Sequence, residues 1–67
     1  MTLASLLNVL KDNLNLMLTI IDDGSPLITF DAAGASVIIT EIGEREVERI
    51  GVSSVDLFHI YLSPNNP

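Results

Sequence analysis

Residues 14–30 read Leu14-Asn15-Leu16-Met17-Leu18-Thr19-Ile20-Ile21-Asp22-Asp23-Gly24-Ser25-Pro26-Leu27-Ile28-Thr29-Phe30. Leu14, Leu16, Leu18 and Ile20 alternate with Asn15, Met17, Thr19 and Ile21. A period of two marks a strand with one fully apolar face. Met17 and Ile21 make the second face half apolar. Asp22 to Pro26 is a cluster of turn formers in which Gly24 is free to take positive φ. Leu27-Ile28-Thr29-Phe30 then reads as the return strand, so the stretch predicts a β-hairpin.

Upstream the period changes. Leu3, Leu6, Leu7 and Leu10 recur at i, i+3, i+4 and i+7, the apolar stripe of a helix. Thr2 suits the N-cap, where its hydroxyl accepts from an early unpaired N–H. Lys11 suits the negative end of the helix dipole, and Asn13 suits a left-handed terminator. A helix is predicted over residues 2–12.

Downstream, residues 31–36 read as a loop of small residues. Residues 36–46 fit two structures. The β-branched run Val37-Ile38-Ile39-Thr40 favours a strand. Ser36 as a cap, and Glu41 and Arg45 as i,i+4 partners, favour a short helix, which Gly43 would weaken. Residues 46–52 read as a strand in which Ile50 and Val52 share a face. Val47 is out of phase with them, which implies a bulge or a late strand start. Phe58, Ile60 and Leu62 alternate with Leu57, His59 and Tyr61, giving a last strand before a polar, proline-bounded tail. The expected fold is α+β over residues 1–62: an N-terminal helix packed on a small antiparallel sheet of three to five strands, with a flexible tail at 63–67.

Composition narrows the function. Sixty-seven residues make one domain. There is no cysteine, which excludes disulfides and thiolate metal sites and fits a reducing compartment. Nine carboxylates against three basic residues give a net charge of −6. That argues against direct binding to nucleic acid, which needs clustered Lys and Arg, and against anionic membrane surfaces. It favours a basic partner, if there is one. The apolar first ten residues lack a basic flank and are too short to span a bilayer, so a cytoplasmic protein is expected. Apolar residues make up 48% of the chain, with mean hydropathy +0.47. This excludes disorder and predicts apolar surface left over once so small a core is filled.

No catalytic set stands out. His59 is the single histidine, and a general base needs a partner within hydrogen-bond reach. Tyr61 shares its strand face, and the pair reads as sheet surface. Asp22-Asp23-Gly24 lacks the alternating ligand spacing of a calcium loop and reads as a turn. One histidine and scattered carboxylates do not make a zinc site. No catalytic residue, cofactor or metal is expected, and no enzyme.

Two binding surfaces are candidates. Glu41, Glu44, Glu46 and Glu48 form an acidic run that would mimic nucleic-acid phosphates toward a basic groove, although Arg45 and Arg49 dilute its field. Met17, Ile21, Leu57 and Tyr61 share the sheet face opposite the helix, with Val37 or Ile39 joining them if residues 36–46 are a strand. An apolar patch of this kind predicts a homo-oligomer, a dimer first.

Several segments together resemble a known group. They are Thr2-Leu3 opening a Leu-rich helix, a strand ending in Ile21-Asp22-Asp23-Gly24, a glycine-containing loop, Arg45-Glu46-Val47-x-x-Ile50-x-Val52-x-Ser54, and Ile60-Tyr61-Leu62. The chain resembles short proteins carried by phages, prophages and mobile elements of Gram-positive bacteria. The resemblance covers residues 2–62 and is structural, so it brings no functional residues. It departs at the alanine-rich 32–35 and at Val37–Ile39, where that group has a short polar helix. It implies a phage accessory role in the host cytoplasm. With no catalytic set in the sequence, the expectation is a non-enzymatic protein that binds another protein, with inhibition of a host defence protein through the acidic run as its sharpest form. Structural self-assembly is the alternative.

Overall fold

A computed structural model describes residues 1–12 and 15–64. Helix α1 spans Leu3–Leu10, strand β1 Met17–Asp22 and strand β2 Ser25–Asp31. A 3-10 turn, Ala32–Gly34, leads into helix α2, Ala35–Ile42. Strands β3, Val47–Ser54, and β4, Leu57–Leu62, follow. Asn13, expected as a helix terminator, Leu14, expected in the first strand, and residues 65–67 of the expected tail lie outside the described residues.

The fold is α+β with a four-stranded sheet in the order β2-β1-β4-β3. The expectation of an antiparallel sheet is corrected at one pair. β1 with β2 and β3 with β4 are antiparallel hairpins, but β1 and β4 meet in parallel at the centre. The physical reason is α2. It carries the chain from the end of β2 back along the sheet, so β3 begins at the end where β1 finished and β4 returns beside β1. A parallel pair needs such a crossover.

Thr2 caps α1: its Oγ1 accepts from the Ser5 N–H at 3.2 Å. Two further N–H groups of the first turn, Leu3 and Ala4, donate to the carbonyls of Arg45 at 2.8 Å and Gly43 at 2.9 Å. The donors that a helix start leaves unpaired thus tie α1 to the link between α2 and β3. The predicted leucine stripe is the core: Leu3, Leu6 and Leu7 are buried against Leu18 and Ile20 of β1 and Ile60 and Leu62 of β4.

The β1–β2 turn is closed by Asp23 at φ 54° and Gly24 at φ 78°. Two central residues with positive φ make a type I′ turn, whose twist matches the strands it joins. Pro26, which has no N–H, is tolerated because β2 is an edge strand. The pairing shifts register between Ile20 and Ile21. The expected irregularity near Val47 is present, as a shift between Val47 and Arg49.

Residues 32–42 correct the loop expected at 31–36 and decide the open question at 36–46 in favour of helix. Ala32, Ala35 and Ile38 are buried, with Ile39 and Ile42 packed against the same core. Burial of this face outweighs the β-branched preference of Val37, Ile38 and Ile39. Val37 is exposed on α2, and neither it nor Ile39 lies in a strand.

Arg45 clamps one end of the sheet. Its Nη1 and Nη2 donate to the two carboxylate oxygens of Asp22 at 3.2 and 2.9 Å, and Nη2 also donates to the carbonyl of Ser63 at 3.1 Å. Those hydrogen bonds hold the Asp22 carboxyl below the ordinary carboxylate range, with partial burial opposing and the guanidinium charge adding. The clamp therefore stabilises the fold above the unfolded-state value, and that contribution disappears as pH falls through the lower folded-state value. Acidification below about pH 4 is expected to lower the melting temperature of the native chain. Asp22→Asn should melt lower at neutral pH and lose less on acidification. Parallel acid profiles for the two proteins would contradict this assignment.

Candidate functional site

Among the described residues both helices lie on one side of the sheet and the other side carries none. Register identifies its residues. Met17 pairs with Asp31 and Leu57, Thr19 with Thr29 and His59, and Ile21 with Tyr61, while Gly51 pairs with His59 and Arg49 with Tyr61. Alternation from the core positions Leu18, Ile20 and Ile60 puts these residues on the open face. Met17, Ile21, Leu57 and Tyr61, named from sequence as one patch, are thus brought together as two directly paired couples in the central strands.

The face has two unlike ends. At one, Met17 is 37% exposed and Leu57 half-buried. At the other, Ile21 is buried. Together with Tyr61, Arg49, Glu48 and Pro64 it lines a concavity of about 270 Å3. The Arg49 guanidinium carbon lies 3.7 Å from the Tyr61 ring centroid, a cation–π contact. The Tyr61 ring also meets the His59 ring edge-on, with centroids 6.4 Å apart. Gly51 makes room for this stack, since a Cβ there would lie 3.2 Å from the Tyr61 ring. In the middle row the hydroxyls of Thr19 and Thr29 are hydrogen-bonded at 2.9 Å, and Thr19 is 7% exposed. Thr19 at the centre is therefore satisfied and shielded, Leu57, His59 and Tyr61 are half-buried, and Met17 is the most exposed of the central-strand residues on this face.

The four glutamates do not form one cluster around a single feature. Glu41, on α2, and Glu44 line a concavity of about 670 Å3 at the end of that helix. Glu46 lies 3.4 Å from the amino group of Met1. Glu48, at the β3 register shift, belongs to the smaller concavity beside Arg49 and Tyr61.

One apolar patch was not singled out from the sequence. Ile50 and Val52 pair with Ile60 and Phe58 on the helix side, yet they are 44% and 69% exposed. Two eight-residue helices, each about 12 Å long, cover the central strands and leave the β3 edge open. Among the described residues, no helix is long and apolar enough to cross a membrane. No protein-family model, curated protein or solved structure matches the chain.

Proposed function

We propose that this chain is a small, acidic, non-enzymatic protein-binding protein that works through the open face of its sheet. One observation supports this most strongly. Met17 and Leu57 sit side by side at one end of a sheet face that carries no helix among the described residues. An apolar pair there, rimmed by Asp31, Thr29 and His59, has the make-up of an interface: apolar centre, polar margin. The resemblance to phage and mobile-element proteins supplies a setting, the bacterial cytoplasm, and a role as an accessory factor there.

Met17→Asp tests the reading. Met17 is partly exposed, but an Asp there stands in a central strand directly opposite Asp31, so a stability loss of about 1–2 kcal/mol is expected in thermal melts. Binding to any protein partner, self or foreign, should fall by at least about tenfold, because burying an unpaired carboxylate at an interface is costly. A folded Met17→Asp protein that binds as the native chain does would remove the open face from the account.

A further inference from the structure

We infer that the occupant of the open face is a second copy of this chain, laid crosswise, with Arg49 of each protomer meeting Asp31 of the other. The inference rests on the open face being the binding surface and adds the identity and orientation of what it binds.

Register carries the geometry. One margin row of the face runs Asp31, Met17, Leu57, and the row at the other end runs Ile21, Tyr61, Arg49. Asp31 belongs to edge strand β2 and Arg49 to the opposite edge strand β3. The two residues therefore stand at diagonally opposite corners, with opposite charge. Arg45 is committed to Asp22. Among the described residues Arg49 stacks on the Tyr61 ring and forms no ion pair, although Glu48 lines the same concavity, and Asp31 makes no side-chain cap hydrogen bond.

Four strands about 4.8 Å apart, with about six residues at roughly 3.3 Å each, give a face of roughly 19 by 20 Å, which is nearly square. Two such faces pack closely when their strands are aligned or orthogonal. Two identical faces meet around a two-fold axis lying in the plane between them. An axis along the strands sets Arg49 against the β2 edge at its own end, far from Asp31. An axis across the strands leaves Arg49 over β3 and Asp31 over β2. The axis along the diagonal that avoids both charged corners exchanges them, so both Arg49–Asp31 pairs form at once and the strands cross at about 90°.

The area limits the strength of such a pair. A plane of roughly 400 Å2 per copy lies below the ~800 Å2 per partner of a standard stable interface. Apolar contact through Met17 and Leu57 alone gives little orientation, and each chain carries a net charge of −6, so copies repel at long range. Two reciprocal charge pairs at the rim counter that repulsion and select one orientation.

The test is a charge exchange read by sedimentation equilibrium, with circular dichroism to confirm folding. Asp31→Arg sets like charges together across the crossed pair, and so does Arg49→Asp. Each variant alone is expected to self-associate at least about tenfold more weakly than the native chain. Mixed in equal amounts, the two have complementary corners and should form a one-to-one dimer with an affinity close to the native one. The double variant Asp31→Arg/Arg49→Asp should also regain self-association. Should Arg49→Asp fail to fold for want of its contact with Tyr61, Arg49→Gln with Asp31→Asn provides the weakening arm.

A native dimer that none of these changes disturbs would overturn the crossed orientation. A native mass of 7.2 kDa at every concentration would overturn the second copy. The open-face reading would survive that result if Met17→Asp still abolished binding to a foreign protein.

Discussion

Leu7→Ala is expected to unfold a large part of the protein under conditions where the native chain is folded. Leu7 has no exposed surface and lies at the centre of the α1 stripe, against β1 and β4. Truncating a buried leucine to alanine costs about 2–5 kcal/mol, from lost transfer free energy plus the cavity left behind. A chain of 67 residues at ~0.05–0.15 kcal/mol per residue has roughly 3–10 kcal/mol in total. With two short helices and no cysteine there is little to offset the loss. Urea unfolding followed by circular dichroism measures it. A change below about 0.5 kcal/mol at Leu7, in the range of surface sites, would mean that the stripe does not face the sheet.

Gly43→Ala is expected to be the second large loss, for the opposite reason: too much atom rather than too little. Gly43 follows α2 directly, donates its N–H to the Ile39 carbonyl at 3.0 Å and accepts from the Ala4 N–H at 2.9 Å. A Cβ there would press on the Ile39 carbonyl oxygen and stand 3.1 Å from the Ala4 Cβ. Neither neighbour is the far end of a flexible side chain, so either α1 moves away from α2 or the end of α2 unwinds. Such overpacking costs about 1–3 kcal/mol. Gly34→Ala is the control. A Cβ at that position meets only the Asp31 Oδ1, at 3.9 Å, so the substitution should be neutral or stabilise by up to about 1 kcal/mol through the unfolded state. Equal effects at the two glycines would show that helix propensity, not the α1–α2 approach, sets the cost.

These two sites mark where the sequence is readable and where it is not. The leucines of α1 and the Asp22–Ser25 turn are local signals: one periodic stripe, and one pair of residues whose φ must be positive. Each was legible because neighbours in sequence determine it. Helix α2 was legible only in a wider window. Ala35, Ile38, Ile39 and Ile42 stand at i, i+3, i+4 and i+7, but the β-branched run among them also suits a strand and the small residues before it also suit a loop. Gly43, which looked like a helix breaker, is the residue that lets α1 and α2 touch.

The parallel pairing of β1 with β4 had no local signal, because it follows from where α2 returns the chain. The open face was half legible for the same reason. Alternation within β1 and β4 put Met17 with Ile21 and Leu57 with Tyr61. Only the register between the strands sets Met17 beside Leu57 and carries Asp31 and Arg49 to opposite corners. The burial of Ile21, which lines one concavity with Tyr61 and Arg49, could not be read from alternation, which assigns a face but not its coverage.

The most direct test of the account is methyl NMR with a soluble paramagnetic probe, run from dilute to near-millimolar protein. In the dilute sample the methyls of Met17 and Leu57 should broaden, while those of Leu7, Leu18 and Ile60 stay sharp. As concentration rises, Met17 and Leu57 should become shielded, and Val9, Val37 and Val52, exposed elsewhere on the surface, should not. Met17 and Leu57 methyls that stay open at every concentration, while Val52 or Val37 becomes shielded, would contradict it.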